Sequence, residues 1–113
     1  MQISPTETKL INKVSKWKEP YKTLGLTLHQ IIKETKPELM PSFMYGMPAY
    51  RKVDTKELVC LFRHDAHFTF ALLDHAKVTF GKDALMMQPT SWFIKEFNES
   101  VRKQVIDILN AIV

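Results

Sequence analysis

A chain of 113 residues holds one domain, because halving it would leave each part too small to bury a core without staples. Its 45% hydrophobic and 25% charged residues exclude a disordered or low-complexity polymer. The single cysteine, Cys60, excludes an internal disulfide and a cysteine-built zinc site, and it suits a reducing cytoplasm. No apolar run is long enough to span a bilayer, and the opening MQISPTETKLINK has no signal-like apolar core, so a cytoplasmic protein with no membrane contact is expected. The net charge of +4 is concentrated early, with seven lysines against three acids in residues 1–36. Lys9, Lys13, Lys16, Lys18 and Lys22 read as a solvated helical face, since no exposed aromatics are interleaved to stack bases; a nucleic-acid partner is not expected.

In chain order, Ser4-Pro5-Thr6-Glu7 has the signature of a helix start: a capping serine, proline at the first turn and an acid three residues after the cap. Leu10, Ile11, Val14 and Trp17 then form one apolar stripe, and the helix is expected to end near Lys18. Pro20 opens a second helix with Leu24, Leu28, Ile31 and Ile32 inward, and Pro37 forbids its continuation. Residues 42–53, SFMYGMPAYRKV, are expected to form one strand, at a sheet edge or broken at Pro48, because proline cannot donate to a ladder. Leu58–Arg63 and Ala66–Leu73 carry β-rich patterns separated by a tight turn near Asp65, a hairpin that completes a three-strand meander. Val78–Gly81 is read as a short strand or turn, and Lys82–Met87 as a helical turn. Trp92–Phe97 is expected to be an edge or terminal strand, and Asn98 caps a last helix with Val101, Val105, Ile108, Leu109 and Ile112 on its apolar stripe. The expected architecture is α+β: one domain over 1–113, an antiparallel sheet of about 4–5 strands flanked by N-terminal and C-terminal helices.

Within that order, Tyr45-Gly46-Met47-Pro48-Ala49-Tyr50 resembles the core motif of the YdhG-like domain of unknown function, and the succession of elements is similar over residues 14–112. The resemblance implies the YdhG-like fold in a small bacterial cytoplasmic protein. Part of that family is described as frataxin-like, an intracellular iron chaperone that delivers iron for iron–sulfur cluster or haem assembly, so iron enters as the cofactor the resemblance implies. The sequence departs from that pattern in its N-terminal helix, which is basic where hard iron ions call for carboxylates. It departs again between Leu73 and Gln88, where only Gly81 and Leu85 match the glycine-rich spacing of relatives.

Candidate sites follow from the residue types. Tyr45, Gly46, Met47, Pro48, Tyr50 and Arg51, with His67 from the hairpin, are the candidate ligand-binding set, since a strand broken at proline can turn aromatic rings and tyrosyl hydroxyls into a cavity. Gly46 itself is expected at a bulge or in a left-handed conformation. His64, Asp65 and His67 are the candidate metal ligands, although alternation places the two imidazoles on opposite faces of a regular hairpin. His75 beside Asp74 is a further approach. Cys60 sits in an apolar run where a thiol is inert, no nucleophile elbow or phosphate loop occurs, and Met86-Met87 and Trp92-Phe93 read as core fillers. The functional expectation is a non-enzymatic module binding a small ligand or a protein partner, with the frataxin-like iron chaperone as the alternative.

Overall fold

A computed structural model describes residues 4–73, 76 and 89–112. The expectations attached to Asp74, His75, 78–81 and 82–87 lie outside the described residues. Eight elements follow in order: α1 (Pro5–Ser15), α2 (Tyr21–Thr35), β1 (Leu39–Met44), β2 (Met47–Lys52), β3 (Leu58–His64), β4 (Phe68–Leu72), β5 (Ser91–Phe93) and α3 (Glu99–Asn110). The strands form one antiparallel sheet in the order β1-β2-β3-β4-β5, which is an α+β architecture with helices at both ends of the chain.

The helix starts are those the sequence dictates. Ser4 Oγ accepts the Glu7 N–H at 3.1 Å, Pro5 occupies the first turn, and Asn98 Oδ1 accepts the Val101 N–H at 2.8 Å; each satisfies an amide that has no partner inside its helix. α1 ends at Ser15 instead of near Lys18. Its last amides, Lys16 and Trp17, reach back only three residues to the carbonyls of Lys13 and Val14, a tightened turn that closes the helix.

The segment expected as one strand over 42–53 is two strands and a turn. Tyr45 and Gly46 both take positive φ, 52° and 79°, and connect Met44 to its partner Met47; two positive-φ residues between paired strands make a type I′ hairpin turn, whose twist matches the strands. Pro48 therefore lies inside a continuous interior strand, not at an edge or a break. It precedes the β2–β3 pairing, which begins at Ala49 with Leu61, so its missing N–H removes no bond from that ladder. The irregularity in the sheet is in β3: Tyr50 pairs with Cys60 but Arg51 with Leu58, leaving Val59 as the extra residue of a bulge. Pro41 occurs on β1. With Met44 and Met47 as the closing pair, alternate residues Leu39, Pro41 and Phe43 turn their main-chain groups away from β2, so proline sits where the outer edge of the sheet would otherwise offer a donor.

Gly46 has open space, the nearest atom to a built Cβ being Lys13 Nζ at 3.3 Å, a mobile side-chain end. Conformation, not crowding, requires glycine there. Gly46→Val is expected to lose about 2 kcal/mol in thermal or urea unfolding, and Gly46→Asn, which tolerates positive φ, much less. Equal melting of Gly46→Val and the parent would remove this account.

Pairing puts Tyr50, Cys60 and Leu72 on one face, together with Phe62, Phe70 and Trp92. The helices cover that face: Trp17 packs edge-on against Phe62, and Leu10, Val14, Leu28, Ile31, Ile32 and Leu109 are buried with it. α1 and α2 approach closely at Gly25, where a Cβ would stand 2.6 Å from Val14 Cγ1 and 3.3 Å from Phe62 Cε1.

Candidate functional site

The residues of the expected ligand set fall into separate environments. Tyr45 is 91% exposed at the hairpin tip, Gly46 is beside it, and Met47 is half-buried on β2. Pro48 is buried. Arg51 ties β2 to β1 and to the β2–β3 loop, donating from Nε to Ser42 Oγ at 3.0 Å and from a terminal nitrogen to the Lys56 carbonyl at 2.8 Å. His67 lies in the β3–β4 turn, its ring stacked on Phe93 with centroids 4.2 Å apart. These residues do not wall a common pocket.

Tyr50 is the member with an unexpected partner. It has no exposed surface, and its hydroxyl lies 2.6 Å from His29 Nδ1. On the other side of that ring, Nε2 is 3.0 Å from Glu7 Oε2, and Glu7 Oε1 is 3.2 Å from Lys33 Nζ. One polar chain thus joins β2, α2 and α1 through the core. Burial alone would raise the Glu7 carboxyl, but the hydrogen bonds from His29 and Lys33 outweigh it and hold the group below its ordinary value. An ionised carboxylate only accepts, so His29 donates from Nε2 and its Nδ1 accepts the Tyr50 O–H. Burial pushes the imidazole below its usual range, opposed by Glu7. The Tyr50 hydroxyl is pushed well up, chiefly by burial.

This arrangement has a pH signature. A histidine whose folded pKa is depressed adds stability that is complete above its ordinary value of 6.5 and is lost as pH falls through the folded value; Glu7 adds a second loss below its ordinary 4.5. Urea midpoints of the parent are expected to fall between pH 7.5 and 5, and those of His29→Gln to stay flatter over the same interval. An unchanged parent midpoint across that window would contradict a neutral, proton-excluding His29.

The metal candidates do not converge. His64 is half-buried, edge-on to Trp17 and stacked on Tyr21 at 4.4 and 4.7 Å between centroids, whereas His67 lies against Phe93. The Asp65 carboxylate accepts the His67 N–H at 3.2 Å and serves the turn. Among the described residues no three His, Cys, Asp or Glu side chains stand close enough to hold a metal. Cys60 is fully buried, and burial pushes its thiol up to about 12, so it is neither nucleophile nor soft-metal ligand at neutral pH.

A cavity opens elsewhere, between the end of the sheet and α3. It measures about 280 Å3 and is lined by Phe70, Trp92, Val101, Val105 and Ile108, with Lys95, Glu96, Asn98 and Gln104 also in its wall. Trp92 stacks on buried Phe70 at 5.8 Å; it and the α3 residues Val101 and Ile108 remain only half-buried. This part of the α3 stripe packs against the core but is only partly covered by it. Of the pair expected to fill the core, Trp92 does pack against it and also walls the cleft, whereas Phe93 is 62% exposed. The apolar stripe signalled that α3 packs on the sheet, but its spacing carries no information on how much of the stripe the sheet covers.

Among the described residues no helix is long and apolar enough to cross a membrane. No family model, curated protein or solved structure matches the chain.

Proposed function

We propose that the chain is a non-enzymatic binding module of the YdhG-like kind, and that its site is the cleft between β5 and α3, which takes a small apolar ligand or the apolar side chains of a protein partner. The observation that carries this is apolar surface left half-buried around a cavity of about 280 Å3, close to the roughly 300 Å3 at which small-ligand sites begin. Lys95, Glu96, Asn98 and Gln104 supply the few polar groups that orient a ligand in such sites. The titratable groups with shifted pKa values in the core, Glu7, His29, Tyr50 and Cys60, are buried at 8%, 6%, 0% and 0% exposure and are poorly placed to meet a substrate, which favours binding over catalysis.

The test is a fragment library screened by NMR on the intact chain. Saturable shifts at the Trp92 indole and the Val105 methyls are expected, lost in Val101→Trp, whose side chain fills the cleft. Shifts confined to Tyr45–Arg51 and His67, or none in the cleft, refute this placement. Anaerobic calorimetry with ferrous iron separates it from the iron-chaperone alternative, which requires saturable heat.

A further inference from the structure

Among the described residues, the strand beside this cleft has an open edge. β5 is last in the sheet order, and its alternate main-chain groups are committed to β4: the Ile94 N–H donates to the Phe68 carbonyl at 2.9 Å, and the Thr90 carbonyl accepts the Leu72 N–H at 2.6 Å. In an antiparallel ladder the intervening residues face the other way. The N–H and C=O groups of Ser91 and Phe93 therefore point outward from the sheet. A row of such groups is a template for another strand.

What flanks the edge specifies the strand. On the helix side lies the apolar cleft of Trp92, Val101, Val105 and Ile108. Phe93 also borders the cleft, but strand alternation turns its ring to the face opposite Trp92, where it is exposed and stacked on the His67 ring. A strand added here alternates its side chains between these two apolar surfaces, because successive residues point to opposite faces. Among the described residues the charged side chains of the cleft wall, Lys95 and Glu96, stand where the strand leaves the edge, so the segment that best fits the cleft is uncharged at its centre.

Resting on the assignment of the cleft as the binding site, we infer that its occupant is an extended peptide segment of a partner protein, about five residues long and apolar at alternate positions, taken up by strand addition to β5. Main-chain bonds to Ser91 and Phe93 supply affinity, and the cleft selects the side chains.

The probe is an acetylated, amidated octapeptide of alternating threonine and valine with a lysine at each end, added to the intact chain. Saturable shifts at Trp92 are expected, together with at least tenfold slower hydrogen exchange of the Ser91 and Phe93 amides. Two N-methylated versions, blocked at odd or at even positions, separate strand addition from simple apolar contact. The version methylated on the face toward β5 is expected to bind at least tenfold more weakly, and the other like the parent peptide. Equal binding of both versions overturns strand addition, as does unchanged amide exchange. If fragments still shift the cleft in that case, the site stands and only its peptide occupant falls; if neither fragments nor peptide shift it, both fall. Protected Ser91 and Phe93 amides in a dimer without peptide would assign the edge to a second copy of the chain and overturn the partner segment.

Discussion

Replacing His29 with alanine is expected to destabilise the fold by about 3 kcal/mol, seen as a drop of roughly 12 °C in thermal midpoint. The ring is 6% exposed and fills space between α2 and β2, so its loss leaves a cavity. It also leaves the Tyr50 hydroxyl and the Glu7 carboxylate, now 2.6 and 3.0 Å from its nitrogens, without those partners in a buried setting. Tyr50→Phe is the milder contrast: the ring and its packing remain, one hydrogen bond goes, and about 1 kcal/mol is expected. Fragment binding to the cleft between β5 and α3 should survive Tyr50→Phe, because that hydroxyl faces His29. A His29→Ala midpoint within about 2 °C of the parent would show that the polar chain adds nothing to the fold.

Gly25→Val is expected to cost about 3 kcal/mol, for a reason unrelated to conformational freedom. A Cβ at this position meets Val14 Cγ1 at 2.6 Å, Trp17 Cζ3 at 3.1 Å and Phe62 Cε1 at 3.3 Å. Val14 and Phe62 have no exposed surface into which to retreat, and overpacking of such cores costs roughly 1–3 kcal/mol or more. Alanine gains about 1 kcal/mol of helix propensity over glycine, so Gly25→Ala should lose less than valine and still melt below the parent. Stabilisation by Gly25→Ala would mean that α1 can move away from α2 at little cost, contrary to the close approach of the two helices.

These two positions mark where sequence reading stops. Helix starts at Ser4 and Asn98 were legible because capping is local: the bond closes within three residues. The β3–β4 hairpin was legible because its alternation is regular. The turn at Tyr45-Gly46 was not, since a type I′ turn is signalled by asparagine or aspartate before glycine, and a tyrosine at φ 52° reads as one more strand residue. Glu7 was legible as a capping acid, and its N–H does serve the cap, but its carboxylate turns to His29 and Lys33. His29 carried no signal at all. It lies next to Leu28 on the buried side of α2, and only the tertiary fold brings it to Tyr50, 21 positions away. Of the expected ligand set, Tyr50 is functional in the architecture and the remainder are dispersed. The cleft was hidden because it depends on where α3 stops covering the sheet, which periodicity does not encode.

The two outer strands differ in what they present to another chain. On β1, Pro41 removes a donor from the outward-facing row, and α1 lies alongside, with Lys13 Nζ 5.8 Å over the Phe43 ring. On β5 the outward row is complete over Ser91 and Phe93. Head-to-tail stacking of copies into a filament needs two mutually competent edges, one at each end of the sheet. With one edge disabled, growth cannot propagate: an incoming strand ends the sheet, whether it comes from a foreign segment or from β5 of a second copy. With Pro41 on the outward row of β1 and α1 beside it, the sheet has one open edge instead of two, and the fibre-forming hazard of a sheet open at both ends is reduced.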